Sequence, residues 1–296
     1  MNSAIAWRAN SVKHRKNEIY VDVVESFSAA LGPDGAALES GVSGVVRMKS
    51  FLSGLPELKL GLFFAQPAAQ PRVGLSSQDA ARSASRADLV ECVKSDKLQE
   101  LRFHPCVRLN RFRAEKEITF IPPDGEFDLL SYSIRREHLA DVPFTVTCQH
   151  LHNTLDPEAV AFELVVRLRA NFAERITARF VKVIVPTPSN ISKPKTKPGG
   201  GSAHYAPSLN AVVWHLSLMT GGEQRELSIK AARSRLGREA FKTWTRSPLR
   251  LEFEIPFFTA SNLRVEYLRI AESSGYPALP WVRYLTNSKD YEARAF

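Results

Sequence analysis

Ten short segments dense in β-branched and aromatic residues recur along the chain, and Gly, Pro, Asn and Ser separate them. They read EIYVDVV, SGVVRMKSFL, EITFIP, PFTVTCQHL, AFELVVRLRANF, ARFVKVIVPTP, NAVVWHLSL, LRLEFEIPFF, LRVEYLRIA and PWVRYL. Helical periodicity is scarce. Its best stretch, QDAARSASRADLVECV, lies in an Ala/Ser/Gln-rich run from Phe64 to Val90 that reads as a surface loop with one helical turn. Regularly spaced strands without intervening helices predict an all-β chain built as sandwiches or a barrel. FIPPDGEFDLLSY (120–132) marks a point where a first unit could close. PTPSNISKPKTKPGGGSAHY (186–205) reads as a long exposed loop.

The first strand carries an oddity. In EIYVDVV, Ile19, Val21 and Val23 alternate with Tyr20, Asp22 and Val24, so Tyr20 and Asp22 share a face. Asp is depleted from strands, and a buried unpaired carboxylate is costly. An aromatic beside an acid on such a strand calls for a purpose.

Most chemistries are excluded by what is missing. The three cysteines, Cys92, Cys106 and Cys148, are few, odd in number and without C-x-x-C spacing, which predicts reduced thiols in a cytosolic protein. The start lacks the features of a signal peptide, and no apolar run is long enough to make a membrane-spanning helix. His150 and His152 share a strand face, but no further ligand pattern completes a metal site, so neither metal nor cofactor is expected. PGGGSAHY lacks the G-K-[ST] of a phosphate-binding loop, and no G-x-S-x-G elbow occurs. Cys106 beside His104 reads as packing on a strand, so no catalytic residue is assigned and no enzyme is expected. The net charge of +9 and pI near 9.6 point to an anionic partner, nucleic acid or a membrane surface. RFHPCVRLNRFR interleaves aromatic and basic residues as a single-strand-binding β platform would, yet none of the standard RNA-binding motifs is present. The preferred reading of this segment is a solvated basic strand face, with no nucleic acid bound.

Six blocks taken together narrow the field: WRANSVKHRKNEIYVDVVES, MKSFLSGLPELKLGL, FHPCVRLNRF, ITFIPPDGEFDLLSY, FEIPFFTASNLRVEYLRI and SGYPALPWVRYL. In these the chain resembles the C-terminal mu homology domain of clathrin adaptor medium subunits. Its tail is most similar to the type found in adaptor complex one. The resemblance is weak over 63–99 and 189–245. It implies an elongated all-β fold of two β-sandwich subdomains, one inserted into the other. The implied division is a linker remnant at 1–10, subdomain A at 11–133 and 257–296, and subdomain B at 134–256. The resemblance further implies an N-terminal longin-like domain in the family, expected to be absent from this chain.

The same resemblance gives the odd strand a use. The family binds cytosolic signals of the form Y-x-x-Φ, Φ being a bulky hydrophobe, as an extended strand added to a sheet edge. Tyr and Φ stand three residues apart, so an extended peptide points them in opposite directions and needs two pockets of opposite parity. By resemblance Tyr20, Asp22, Lys49, Trp281 and Arg283 form the tyrosine pocket. Tyr20 and Trp281 offer aromatic area, and Arg283 can stack on the ring or contact the phenol. Asp22 accepts the phenolic proton, with Lys49 balancing its charge. Ile19, Val21, Val265, Leu268 and Val282 match the Φ pocket. Val265 and Leu268 differ in parity, so a bulge or a rim geometry is required there. Tyr20 stands where the family usually has Phe.

The implied partners are Y-x-x-Φ cargo tails, the two large and one small subunits of an adaptor heterotetramer, and an anionic phosphoinositide membrane surface. A small GTPase of the Arf class and clathrin join through the full complex. Lys13, Arg15, Lys16, Lys193, Lys195 and Lys197 are candidate membrane contacts. The implied location is the cytoplasmic face of trans-Golgi network and endosome membranes and their clathrin-coated vesicles. Two rival readings stay open: a mu homology domain of another coat or endocytic protein with a different ligand, and a β-platform nucleic-acid binder.

Overall fold

Strand β1, Glu18–Leu31, buries every second side chain: Ile19, Val21, Val23, Glu25, Phe27, Ala29 and Leu31. That is the period-two pattern of a strand with one face on a core. A computed structural model describes residues 5–65, 98–115, 117–135, 139, 141–150, 161–188, 191, 194–232, 247–272 and 275–294. The Phe64–Val90 stretch read as a loop lies outside them beyond Ala65, as do Cys92 and His152.

After β1 come β2 (Ala37–Phe51), β3 (Glu57–Phe64), β4 (Gln99–Phe103), the helix α1 (Leu109–Glu115), β5 (Ile118–Phe120) and β6 (Gly125–Arg135). The middle of the chain supplies β7 (Phe144–His150), β8 (Ala161–Ala170), β9 (Thr177–Pro186), β10 (Lys195–Pro198), β11 (Ser202–Ala206), β12 (Ala211–Thr220) and β13 (Gln224–Ala232). β14 (Leu249–Pro256), β15 (Leu263–Ala271) and β16 (Leu279–Ala293) complete it. The fold is all-β, as expected.

The chain packs into two units. Unit 1 comprises Met1–Glu25, Val42–Ala140 and Phe257–Leu285, and unit 2 comprises Ser26–Gly41, Asp141–Pro256 and Thr286–Phe296. The long strands β1, β2 and β16 each run from one unit into the other. Relative to the division implied by resemblance, 26–41 and 286–296 fall in the second unit. A strand of fourteen or fifteen residues serves two cores in succession, which a boundary drawn between strands does not anticipate.

In unit 1 the strand order is β16-β1-β2-β6-β4 in one sheet and β15-β3-β5 in the other. Leu101, Phe103 and Leu130 from the first sheet and Leu62 and Ile118 from the second line one apolar cavity of about 20 Å³, so the two sheets pack face to face. In unit 2 the orders are β11-β12-β9-β14-β16-β1-β2 and β10-β13-β8-β7. Phe144 of the second sheet packs on Phe253 at 4.9 Å between ring centres, and its carbonyl accepts the Tyr291 hydroxyl, which closes that sandwich.

Two local expectations are corrected. The 186–205 loop contains β10 and β11. Lys195 and Lys197 lie on a strand paired with β13, Lys195 beside Lys230 and Lys197 beside Ser228. Gly199–Gly201 turn the chain back. Gly201 has φ +69°, and a Cβ there would lie 2.0 Å from the His215 carbonyl oxygen, so only glycine fits. The second correction is in RFHPCVRLNRFR, where β4 ends at Phe103 and the chain turns into α1. There Phe112 packs on Phe103 at 4.7 Å between ring centres, the rings tilted by 59°, and both line the apolar cavity.

Candidate functional site

The parity of β1 decides what its two faces can do. The Leu279 amide donates to the Asn17 carbonyl at 3.1 Å, and Arg283 pairs with Asp22, so residue numbers ascend together on β16 and β1. The strands are therefore parallel. In a parallel ladder this bond sets Glu18 opposite Leu279, Tyr20 opposite Trp281 and Asp22 opposite Arg283.

The outer face of this pair carries polar and aromatic groups. Arg283 grips Asp22 with two parallel bonds, Nε to Oδ1 at 2.7 Å and Nη2 to Oδ2 at 2.6 Å. The fork geometry suits a carboxylate, and it raises the Arg283 pKa above the usual guanidinium value. Asp22 is 9% exposed, whereas Trp281 presents 54% of its surface to solvent. The Tyr20 hydroxyl donates to Glu18 Oε2 at 3.2 Å and leaves the ring half-exposed beside Trp281.

Lys49 does not balance Asp22. Its Nζ is 2.8 Å from Glu126 Oε2 on β6, while Arg47 on β2 bonds Asp128 Oδ1 at 2.8 Å. The reason is lateral order: β2 lies between β1 and β6, and β16 supplies Asp22 with a better-shaped partner from its other side. The outer face thus holds three cations, Arg283, Lys49 and Arg47, and four acids, Glu18, Asp22, Glu126 and Asp128, spread over β16, β1, β2 and β6. The alternation in RMK and EFD puts Arg47 with Lys49 and Glu126 with Asp128 on shared faces, a signal that could have added Arg47, Glu126 and Asp128 to the predicted set.

The opposite face is apolar. Val282, 38% exposed, alternates with Trp281 and Arg283, and its backbone N–H and C=O point away from β1. Val265 and Leu268 on β15 are half-buried. Ile19 and Val21 have no exposed surface, so they form the core on the face that Val282 shares and do not present surface to a ligand. Tyr284, two residues beyond Val282, accepts the Val265 amide at 3.1 Å, and the Arg264 guanidinium lies 4.4 Å above its ring. Next to Leu268 is an open cleft of about 290 Å³ lined by Ile270, Tyr276, Ala278 and Pro280, with Glu272 as its one acid. Tyr276 is held there by donating to the Ser53 carbonyl at 2.9 Å.

A sequence profile of the adaptor complexes medium subunit family matches residues 5–295. The chain belongs to that family. It is similar to the AP-1 complex subunit mu-2 of Rattus norvegicus, 35% identical over 294 residues, and to the AP-1 complex subunit mu of Dictyostelium discoideum, 37% identical over 297. Each alignment covers 99% of this chain and 64% of the relative, so the chain spans about two thirds, and no more, of the length of the curated proteins it matches. Among solved structures, the yeast delta-COP-I mu-homology domain complexed with a Dsl1 WxWxV peptide has the same fold. The TM-score is 0.60 at 13% identity, over 95% of this chain and all of that one.

The remaining predicted residues of this medium-subunit chain fall into place or apart. Lys13, Arg15 and Lys16 are exposed in unit 1, Lys195 and Lys197 are exposed in unit 2, and Lys193 lies outside the described residues. Cys106 is no nucleophile: burial pushes its thiol up to about 12, and the nearby His104 Nδ1 accepts the Cys106 backbone amide at 3.2 Å. Cys148 is a buried free thiol too. His150 ends β7, but its side chain is not among those described. No group of three or more metal-ligating side chains occurs among the described residues. No described helix is long and apolar enough to cross a membrane.

Proposed function

We propose that this medium-subunit chain recognises extended Y-x-x-Φ peptides from the cytosolic tails of membrane proteins, along the free edge of β16. One observation carries the reading: β16 and β1 put Trp281, Tyr20 and the Arg283–Asp22 pair on one face of an edge and Val282 on the other. A peptide strand added at Val282 alternates in step with it. Its Tyr side chain meets the rings and the ion pair, where the phenol donates to Asp22 and its ring lies near Arg283. Three residues on, its Φ side chain enters the apolar face bounded by Val282, Val265 and Leu268. The delta-COP-I domain with its bound WxWxV peptide supports peptide capture as a use of the fold.

By the same reading the chain works in a heterotetramer with two large subunits and one small subunit. It carries cargo between trans-Golgi network and endosomes in clathrin-coated vesicles, recruited by an Arf-class GTPase and anionic phosphoinositide lipids. Its role is binding without catalysis. The similarity to AP-1 mu subunits supports this assignment over other coats. Against the nucleic-acid alternative stand Phe103 and Phe112, whose tilted rings pack on each other and line the apolar cavity, where they offer no stacking platform.

Calorimetric titration with a Y-x-x-Leu peptide tests the proposal. Micromolar binding that disappears with Ala in place of the peptide Tyr, and again in an Asp22→Ala chain, supports it. A folded chain that ignores the peptide overturns it and favours a mu homology domain with another ligand.

A further inference from the structure

Glu25 occupies an apolar position. It follows Ile19, Val21 and Val23 on the inward row of β1, precedes Phe27, and has no exposed surface. A carboxyl group there must be well partnered or it destabilises the fold. Its partners are neutral. The Tyr132 hydroxyl of β6 donates to Oε1 at 2.8 Å, the Ser261 hydroxyl donates to the same oxygen, and the Ser261 amide donates to Oε2 at 3.2 Å. From β2, Gly44 makes room for the Tyr132 ring, since a Cβ there would lie 2.0 Å from Cζ. Burial raises the Glu25 pKa, and the same burial raises that of Tyr132.

Ser261 passes this anchorage on. Its hydroxyl also accepts the Leu263 amide at 3.0 Å, and the Thr259 hydroxyl donates to the Leu263 carbonyl at 3.1 Å. Leu263 begins β15, and Val265 is two residues on. The Val265 amide is in turn held by Tyr284 of β16. The start of β15 is thus tied to β1 through Glu25 and Ser261, and to β16 through Tyr284. These are the strands that carry the two faces of the proposed peptide edge.

We infer that Glu25 is a positioning residue: through Ser261 it fixes the start of β15, and with it the Val265 wall, and so sets which Φ side chains the apolar pocket admits. This rests on the proposed Y-x-x-Φ reading. Tyr132 bonds the same carboxylate from β6, whereas it is the Ser261 hydroxyl that accepts the Leu263 amide, so loss of the Tyr132 hydroxyl serves as the control for mere loosening of the core.

The experiment is calorimetric titration of the whole chain with Y-x-x-Φ peptides ending in Leu, Met, Phe or Val, and with Phe in place of Tyr. The proteins compared are wild type, Ser261→Ala, Ser261→Thr and Tyr132→Phe. Ser261→Ala should shrink the wild-type spread of affinities across the Φ series at least fivefold and leave the Tyr-to-Phe loss unchanged. Ser261→Thr, which keeps the hydroxyl, should restore the spread. Tyr132→Phe should lower the melting temperature and keep the Φ ranking.

An unaltered Φ ranking in Ser261→Ala, or equal flattening by Tyr132→Phe, overturns the positioning role while the peptide reading stands. A folded wild type that binds no peptide of the series overturns both. Should Ser261→Ala not fold, amide exchange in the wild type decides: Leu263 and Val265 must exchange more slowly with the Leu-ended than with an Ala-ended peptide, and equal rates overturn the inference.

Discussion

Val265 and Leu268 stand on one face of β15 although they lie three positions apart, an odd number. Val265 pairs with Leu62 and Leu268 with Leu60, and the register slips between Val265 and Tyr267, so Glu266 is the extra residue of a β-bulge. Leu60 and Leu62 share a face, and their partners must share it too. The bulge is what lets both side chains serve a single apolar pocket.

If that pocket takes Φ, Leu268→Ala should weaken a Leu-ended Y-x-x-Φ peptide by roughly 1–2 kcal/mol, the value of the contact area removed. It should leave a peptide ending in Ala unaffected. Deleting Glu266 should leave Φ selectivity in place, because without the extra residue Leu268 follows Val265 at a spacing of two and still shares its face. Titration across a Φ series reads both effects.

Phosphorylation of the peptide Tyr should abolish binding. The dianion would meet Asp22, Glu126 and Asp128, while the nearby cations Arg283, Lys49 and Arg47 are already engaged by those acids. Phe in place of Tyr should cost roughly 1–3 kcal/mol through the lost phenolic hydrogen bond. Equal affinities for the plain and phosphorylated peptides would sink the tyrosine-pocket assignment.

Arg8 should matter far more to stability than a residue near the chain start ordinarily does. Its buried guanidinium donates to the carbonyls of Gly54 at 2.7 Å, Pro122 at 3.1 Å and Leu52. Arg8→Met leaves those carbonyls without their donors and should cost about 2–5 kcal/mol. Urea denaturation followed by fluorescence would measure it, and a loss under 1 kcal/mol would contradict this account.

Gly44→Ala should destabilise by roughly 1–3 kcal/mol, the range for overpacking a filled core. The added methyl would overlap the Tyr132 ring, and that ring cannot retreat without leaving Glu25. Thermal melting of the single variant gives the number.

Stability should also respond to pH through Glu25. Its folded-state pKa lies above the model-compound value of 4.5, with burial the first cause, so the folded chain holds the proton more tightly than the unfolded chain. That contribution is complete below about 4.5 and is lost as pH rises through the higher folded value. Glu25→Gln removes this titration. Melting curves from pH 4 to 8 should therefore fall less steeply with rising pH in the variant, and identical slopes would contradict the shift.

Much of this protein was legible in its sequence because period-two alternation is a local rule. The strand-rich segments, the shared face of Tyr20 and Asp22, the matching face of Trp281 and Arg283, and the need for either a bulge or a rim geometry between Val265 and Leu268 all follow from counting along one strand. What counting cannot supply is lateral order. That Lys49 answers Glu126 and not Asp22 depends on β2 lying between β1 and β6. That Ile19 and Val21 close into the core, while Val282 stays open, depends on the unit 1 part of β16 having, among the described residues, a strand neighbour on its β1 side only, and on β1 having neighbours on both sides. RFHPCVRLNRFR became a strand end and a helix because Phe103 and Phe112 find each other over an apolar cavity, a contact between residues nine apart that overrides local strand preference. Glu25 was invisible for the same reason. A single carboxylate in an apolar row gains its meaning only when Tyr132 and Ser261, 107 and 236 residues away in the chain, are folded against it.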